Sequence, residues 1–215
     1  SWKEAEEYKK NKIQEINTIK TIIFICIILI AGLMIFKFSS EAFNKYKVEK
    51  TITQGEQLIS SKNYEEALNI FQEILKSNPK EGRIYYNLGV IYLNKNKKNE
   101  AMEAMEKAIK LDETNLYYKT GMAKTFIANN NISSAISELE KVIALNKNIS
   151  DAYLYLGEAY YKKGDKDKAI SNFNYCMEKF SGTESASAAA DWITKLNSKN
   201  NERNAAISAL LDKGN

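Results

Sequence analysis

Residues Tyr153–Ile170 read YLYLGEAYYKKGDKDKAI, and this stretch decides the fold. Its first half places large or small apolar residues at the i, i+3, i+4, i+7 spacing of one helix face: Tyr153, Leu156, Gly157 and Tyr160. Gly164 interrupts this pattern, because glycine readily adopts the left-handed conformation that ends a helix. A second apolar pattern begins at Ala169. The stretch predicts two amphipathic helices joined by a tight turn, and such helices must run antiparallel.

The same pattern recurs along the chain at an interval of 34 residues. The recurring small residues are Ala67, Ala101, Ala135 and Ala169 in the second helix of each pair, and Gly55, Gly89, Ala123 and Gly157 in the first. A period of this length indicates one helical unit copied along the chain, each unit burying its apolar face against the next. The sequence therefore predicts an all-α solenoid of about four helix pairs.

The turns inside the pairs support this prediction. Asn96, Asn130 and Gly164 occupy the expected left-handed position, and all three residue types tolerate a positive φ. Lys62 is the exception in the first copy. Pro79, the only proline, follows the second helix of the first copy, where it can end a helix.

The pattern resembles the tetratricopeptide repeat, whose first helix carries Leu-Gly and Tyr and whose second carries Ala, Phe and Ala before a closing Pro. The stretches that carry this resemblance are Tyr85–Tyr92, YYNLGVIY, and Tyr153–Ile170. The third copy departs from the pattern, with Ala123 for the glycine and no closing proline. The resemblance implies a right-handed α-solenoid with repeats at 48–81, 82–115, 116–149 and 150–183.

A long apolar run near the start of the sequence predicts a transmembrane helix over residues 19–38. No charge occurs from Thr21 to Phe36, and Lys20 and Lys37 can reach outward to lipid headgroups. We expect a leader helix before it, 1–18, and a helical linker after it, 39–47. A cleaved signal peptide is the main alternative, but its charged leader is normally shorter than this one. A buried core helix is disfavoured because the repeats already pair their own helices.

The charges flanking this run decide little about its orientation. Within twenty residues of the charge-free stretch from Thr21 to Phe36, five lysines lie on the amino side and four on the carboxyl side. We favour an internal amino terminus, because a short leader commonly stays inside while a long domain is translocated. The expected location is the bacterial inner membrane, with the repeats in the periplasm.

Beyond the last repeat, residues 184–197 predict a capping helix. Its small and apolar residues share one face, and a helical stack needs its last apolar face covered. The tail at 198–215 begins with a polar break, SKNNERN, after which Ala205–Leu211 could form one more short helix, either a second cap or a free segment that docks on a partner.

Composition argues against catalysis and against nucleic-acid binding. The chain has no histidine, the commonest general base and a frequent zinc ligand, and it has no glycine-rich phosphate loop. Residues 39–215 carry 25 basic and 23 acidic residues, which leaves no electrostatic footprint for nucleic acid. We predict a protein that is not an enzyme and that uses no cofactor and no metal.

Function is therefore expected on the surface, along a concave groove lined by the first helices. The predicted partner-binding residues are Ile52, Ile59, Arg83, Tyr86, Val90, Leu93, Tyr117, Lys124, Ile127, Leu154, Glu158 and Tyr161. Their apolar and aromatic centre with charged edges suits an extended peptide or an amphipathic helix. The alternative is that the fifth and twelfth positions of each copy pack between neighbouring copies.

Some family members grip a carboxyl-terminal peptide through lysines, asparagines and an arginine in three successive copies. The matching positions here hold Ile52 and Glu56, then Asn87, then Tyr117 and Gly121, so only the asparagine is kept. Binding of heat-shock chaperone tails is therefore disfavoured.

We interpret the chain as a membrane-anchored scaffold that recruits proteins in assembling a membrane or cell-envelope complex. Its layout is similar to that of bacterial translocon-associated membrane proteins with periplasmic repeats. Two rivals are a structural subunit of a secretion or flagellar motor machine and a chaperone-like receptor for translocating or unfolded clients. A further alternative, an organellar import receptor, would have the same amino-terminal anchor but would require the groove to face the cytosol. Partners are proteins and the lipid bilayer, and homo- or hetero-oligomerisation is left open.

Overall fold

The computed structural model describes the backbone of residues 2–213 and the side chains of residues 2–199, 201 and 202. Over this range the chain forms nine α-helices and no strand. They are α1 (Trp2–Ser60), α2 (Tyr64–Ser77), α3 (Gly82–Asn94), α4 (Lys98–Leu111), α5 (Leu116–Ala128), α6 (Ile132–Leu145), α7 (Ser150–Lys163), α8 (Lys166–Lys179) and α9 (Glu184–Lys213). The predicted all-α helical solenoid is confirmed.

The chain divides into two compact units, Ser1–Thr53 and Gln54–Asn215. The first unit consists of most of α1, and its apolar side chains from Ile19 to Phe38 are exposed. Among the described residues, α1 is the one helix that is long and apolar enough to cross a membrane, a criterion of length and composition alone. Leader, apolar run and linker are continuous within this single helix.

The second unit is a stack of helix pairs held together by close contact at the recurring small residues. Ala67, Ala101, Ala135 and Ala169 are completely buried. A Cβ at Gly89 would lie 2.8 Å from Cε of Met105, and one at Gly157 would lie 2.6 Å from the ring of Phe173. Glycine thus lets the two helices of a pair approach closely. The third copy has Ala123 and Leu139 at the matching positions, and the smaller aliphatic partner leaves room for a methyl group.

All four turns inside the pairs use one hydrogen-bond pattern. Lys62, Asn96, Asn130 and Gly164 have φ of 61°, 57°, 61° and 93°. The next amide donates to the carbonyl five residues back, as from Asn63 to Leu58 at 2.8 Å and from Asp165 to Tyr160 at 3.0 Å. This is the Schellman arrangement, which satisfies carbonyls left open at a helix end. The left-handed turn position is confirmed in every copy, including the one that holds lysine.

The carboxyl-terminal part differs from expectation. A break at SKNNERN is not present, because α9 runs without interruption from Glu184 to Lys213. The segment SKNNERN contains neither glycine nor proline, so none of its residues has a helix propensity low enough to end a helix. Ala189 and Leu196 of α9 are buried with α7 and α8 in one core cluster, and Trp192 stacks on Phe173 with ring centroids 5.7 Å apart.

Candidate partner-binding groove

The first helices of the pairs, together with the start of α9, surround a cavity of about 400 Å³ in the second unit. We call this face the groove. The residues that line the cavity are Ile59, Ser60, Lys62, Tyr64, Tyr86, Val90, Leu93, Asn94, Met105, Gly121, Lys124, Asp151, Leu154, Tyr155, Glu184, Ser185 and Ala188. A cavity of this size, whose walls combine apolar side chains with several polar groups, is suited to binding.

Tyr86 of α3 forms part of the cavity wall. Its ring stacks on Tyr118 of α5, with centroids 5.5 Å apart. A Cβ at Gly121 would lie 2.7 Å from Cε2 of Tyr86, so the ring can lie against α5 only because that position is glycine. Burial raises the pKa of Tyr86, which therefore remains neutral and can donate a hydrogen bond.

Lys124 of α5 and Tyr155 of α7 form a polar pair in the same wall. The ammonium Nζ of Lys124 donates to the hydroxyl oxygen of Tyr155 at 3.0 Å and lies 4.8 Å from the centroid of its ring. Burial, followed by the negative charges of Asp151 and Glu158, raises the pKa of Tyr155. The pair presents a cation and a neutral hydroxyl to the cavity.

A smaller cavity of about 140 Å³ adjoins Lys124 and is lined by Leu93, Asn94, Ile127, Ala128 and Glu158 as well. Burial raises the pKa of Glu158, while the positive charges of Lys162, Lys124 and Lys195 act in the opposite direction. No ion pair to Glu158 occurs among the residues whose side chains are described. This carboxylate is therefore stabilised only by charges at longer range.

An ion pair lies between the first and second copies. Arg83 donates from Nε and Nη2 to the two carboxylate oxygens of Glu56 at 2.8 and 2.7 Å, and Asn87 donates to Oε1 of Glu56 at 3.0 Å. Burial raises the pKa of Glu56, but the hydrogen bonds from Arg83 and Asn87 and the charge of Arg83 lower it overall. Arg83 thus joins two helices and does not reach into the cavity.

The start of α9 closes one end of the groove. The hydroxyl of Ser185 donates to Oδ1 of Asp151 on α7, and the hydroxyl of Ser150 donates to Ser185 at 3.1 Å. These bonds place Glu184, Ser185 and Ala188 in the cavity wall. The capping helix is therefore part of the candidate site.

The structure sorts the twelve predicted groove residues into two groups. Those that line one or both cavities are Ile59, Tyr86, Val90, Leu93, Lys124, Ile127, Leu154 and Glu158. Those outside both cavities are Ile52, Arg83, Tyr117 and Tyr161, of which Tyr117 is 59% exposed and Tyr161 packs on Trp192. Whether any of them binds a partner stays a prediction.

Three of the predicted groove residues are largely buried. Ile52, Ile127 and Leu154 are 1%, 2% and 8% exposed, so they belong mainly to the core. The alternative that the fifth and twelfth positions pack between neighbouring copies describes Ile127 and Leu154 of the second unit. It does not describe Tyr86 and Leu93, which occupy the same positions in the second copy and are only partly buried.

Sequence reasoning missed Tyr155 and the start of α9 as parts of this site. Tyr155 lies one residue beyond the predicted line of positions, and a tyrosine is long enough to reach the cavity from there. Among the described residues, no group of three or more His, Cys, Asp or Glu side chains could hold a metal ion.

Two family models match the chain, both described as tetratricopeptide repeat, at residues 58–125 and 120–175. Together they cover more than half of the chain. Both describe repeats, and such repeat proteins are typically scaffolds without enzymatic activity.

The similar proteins are longer than this chain. Sperm-associated antigen 1 of Homo sapiens is 32% identical over 117 residues, 54% of this chain and 12% of that protein. A TPR repeat-containing protein of Methanocaldococcus jannaschii is 29% identical over 140 residues, 65% of this chain and 24% of that protein. The chain thus spans about a quarter or less of the length of these curated relatives.

Solved structures show the same fold. A thermophilic TPR protein in Thermus thermophilus aligns with a TM-score of 0.63 at 21% identity, covering 69% of this chain and 82% of that one. The pilF protein of Pseudomonas aeruginosa aligns with a TM-score of 0.58 at 17% identity, covering 72% and 71%. At these identities the likeness concerns the fold alone.

Proposed function

Because this chain belongs to the tetratricopeptide repeat family, whose domains generally bind proteins, we propose that it recruits a partner protein through the groove. The observation that carries the proposal is the cavity of about 400 Å³, in which Tyr86, Val90 and Leu93 supply an apolar wall beside the polar pair of Lys124 and Tyr155. Apolar surface with a few oriented polar groups suits an extended segment or an amphipathic helix.

The proposal includes a membrane anchor at residues 19–38. Twenty helical residues rise about 30 Å, which equals the thickness of a bilayer's hydrocarbon core. The absence of charge from Thr21 to Phe36 and the exposure of the apolar side chains in this stretch support this role. A tether of this kind raises the effective concentration of the groove near other membrane components, so that weak contacts suffice.

For its location we propose the bacterial inner membrane, with the leader inside and the repeats in the periplasm. There the scaffold would help to assemble a membrane or cell-envelope complex. Whether the protein forms homo- or hetero-oligomers would depend on the composition of that complex. Protease treatment of intact and of opened cells tests the orientation. Degradation of the repeats only after the inner membrane is opened would contradict it.

The groove itself is tested by site-specific photocrosslinking of the full-length protein in native membranes. A photoreactive amino acid replaces Leu93, which lines the cavity, and in a matched control it replaces Tyr117, which is exposed but outside both cavities. We expect protein adducts from position 93 and few from position 117. Equal labelling, or no adduct from position 93, would contradict the proposed function.

The same adducts separate the rival functions. A recruiting scaffold or a structural subunit gives few adducts in fixed ratio, and a subunit stays crosslinked in every growth condition. A receptor for unfolded clients gives many adducts, each at low yield. Mass spectrometry of the position 93 adducts distinguishes these patterns.

A further inference from the structure

Helix α1 passes through the leader and the apolar run without interruption, so one periodic pattern can be followed along both. Two parallel helices meet along the first and fourth positions, a and d, of a seven-residue cycle a to g. Assigning Ile25 to a and Ile28 to d fixes the position of every other residue of α1. From Tyr8 to Lys45 the charged residues are Lys9, Lys10, Lys12, Glu15, Lys20, Lys37, Glu41 and Lys45. They occupy positions b, c, e, f and g, and none lies at a or d.

The residues at a and d form one uncharged face of α1, which we call the seam. They are Asn11, Gln14, Thr18, Thr21, Ile25, Ile28, Gly32, Ile35, Ser39 and Ala42. The phenylalanines, leucines and methionine of the apolar run all lie at other positions, so a second helix can approach most closely along the seam. Its three isoleucines are more than half exposed, and nothing lies within 4 Å of a Cβ at Gly32. The seam therefore has no packing partner within the described part of the chain.

The amino-terminal part of the seam is polar and can bind an identical surface. Gln14, Thr18 and Thr21 line an open depression of about 420 Å³ on α1. The hydroxyls of Thr18 and Thr21 donate to carbonyl oxygens of the same helix at 2.9 Å, which satisfies them without a partner. The side-chain amides of Asn11 and Gln14 form no hydrogen bond with any described residue. Because an amide has both donors and an acceptor, the same amide of a second copy can bond to each of them.

Two opposite charges flank this part of the seam. Lys10 lies at g and Glu15 at e, and in a parallel pair a g residue lies beside the e residue five positions later on the other helix. Neither residue forms an ion pair with a described residue of its own chain. Two copies that insert into the membrane in the same orientation are parallel, so each Lys10 meets the Glu15 of the other copy. An identical chain in register thus supplies the complementary charge on both sides.

We propose that the seam of α1 binds the seam of a second copy and forms a parallel homodimer. The Lys10 and Glu15 pairs and the amides fix the register at the leader, and the isoleucines and Gly32 pack within the bilayer. The inference rests on the membrane anchor of the proposed function and not on the groove. A dimer carries two grooves, so a partner with two binding segments is held more tightly than by a single copy.

The test is cysteine crosslinking of the full-length protein in native membranes. Cys26, which lies at position b, is replaced by serine, and a new cysteine replaces Ser39 in the seam or, as a matched control, its neighbour Ser40. The buried Cys176 is the same in every variant. Since a disulfide needs Cβ atoms about 4 Å apart, we expect a mild oxidant to link Ser39→Cys into dimers severalfold faster than Ser40→Cys. Ile28→Cys in the seam and Ile30→Cys outside it should differ in the same way.

Charge reversal tests the register of the two copies. In the Ser39→Cys background, Lys10→Glu and Glu15→Lys each bring like charges together across the seam and should slow crosslinking severalfold. The two changes combined restore opposite charges and should restore the rate. Lys9→Glu makes the same change of charge at position f and should have no effect. The effect of each single reversal should shrink at high salt, because these charges are exposed.

The outcomes separate the seam from the anchor and from the groove. Two differently tagged copies are co-expressed, so that capture of one tag and detection of the other identifies the linked chain as a second copy. Equal linking at Ser39 and Ser40, no linking at either, or linking only to another protein would overturn the homodimer. Failure of the double reversal to restore the rate would overturn the register. If alkaline carbonate releases the protein from the membrane, the anchor fails together with the seam, while the groove remains a proposed binding site.

Discussion

At the scale of single residues, the turn at Lys62 is the least favourable of the four. Its φ of 61° is close to those of Asn96 and Asn130, while the fourth turn uses Gly164. The left-handed conformation costs an ordinary L-residue roughly 1–2 kcal/mol. Lysine brings no compensating hydrogen bond at this turn, since none from its side chain occurs among the described contacts.

Lys62→Gly should therefore raise the free energy of unfolding by about 0.5–1 kcal/mol. This value is the strain energy relieved in the folded state minus the additional conformational entropy that glycine loses on folding. Denaturant unfolding of the full-length protein in detergent measures it. The reciprocal change Gly164→Lys should lower stability by a similar amount. If both changes destabilise, the strain at Lys62 is not the controlling quantity.

Glu158 gives the second residue-scale prediction, because burial raises its pKa in the folded state. The folded protein holds this proton more tightly than the unfolded chain does. The proton therefore favours folding below the unfolded pKa, and this stabilisation is lost as the pH rises through the folded pKa. Glu158→Gln should match the wild type near pH 4 and become the more stable of the two towards pH 7.

Thermal unfolding of both proteins across this pH range tests the sign. Glu178→Gln, which changes an exposed glutamate of α8, serves as the control and should show no such trend. If the wild type instead becomes more stable relative to the Glu158→Gln variant as the pH rises, the positive charges of the surrounding lysines have a larger effect on the pKa of Glu158 than burial has.

Residue types predicted the turns better than they predicted the groove. Asn96, Asn130 and Gly164 tolerate a positive φ, so their position could be read directly from the sequence. The exposure of each side chain could not be read from the sequence in this way. Successive residues of a helix point in directions about 100° apart, so neighbouring positions can differ between core and cavity. The pattern places Ile127 in the groove, but this residue is 2% exposed and lines only the smaller cavity, whereas Tyr155 lies outside the predicted positions and lines the larger one.

At the scale of elements, α9 has two roles, as a cap and as a wall of the groove. Trp192 lies parallel to the ring of Phe173, and its other aromatic neighbour is Tyr161 at 5.1 Å between centroids. The capping role could be predicted from the spacing of alanines. The role in the groove could not, because it depends on the bond from Ser185 to Asp151, two residues that are 34 positions apart.

Trp192→Ala should release α9 from the stack and cost about 2 kcal/mol, because an aromatic side chain that is half-buried loses its apolar contacts. Hydrogen exchange followed by mass spectrometry should show faster exchange in α9 and little change in α3 and α4. Trp2→Ala changes a tryptophan that is 78% exposed and should leave exchange in α9 unaltered. Uniformly faster exchange in every helix would instead mean that α9 is not a separate cooperative element.

At the scale of the whole molecule, the 34-residue period determines how the repeat unit holds together. Each helix pair contacts only its neighbours in such a stack, so stability is close to a sum of local terms and interfaces. The period predicted this architecture because small residues recur where helices approach closely. The division into two units with a boundary at Thr53 and Gln54 was not predicted, since α1 continues through it without a change in helical pattern.

Gly89→Leu should destabilise the second copy and its neighbours by about 1–3 kcal/mol, because a Cβ alone would lie 2.8 Å from Cε and 3.2 Å from Cγ of Met105 and the rest of the leucine must displace that side chain. The melting temperature of the full-length protein and the exchange rates of α3 to α5 measure this. Gly32→Leu is the control, since nothing lies within 4 Å of a Cβ there. An unchanged melting profile for Gly89→Leu would contradict the stacking of the copies.

The buried thiol of Cys176 can be used to measure local opening of the stack where α8 packs on the start of α7. Its Sγ donates to the carbonyl of Ser150 at 3.5 Å, and burial, with the charge of Asp151, raises its pKa to about 11. With Cys26 replaced by serine, a maleimide dye could reach sulfur only when the packing around Ser150 and Ser185 comes apart. The labelling rate would then measure how often this region opens locally in the native protein. A lower rate in the presence of a bound peptide would show that the peptide slows the opening.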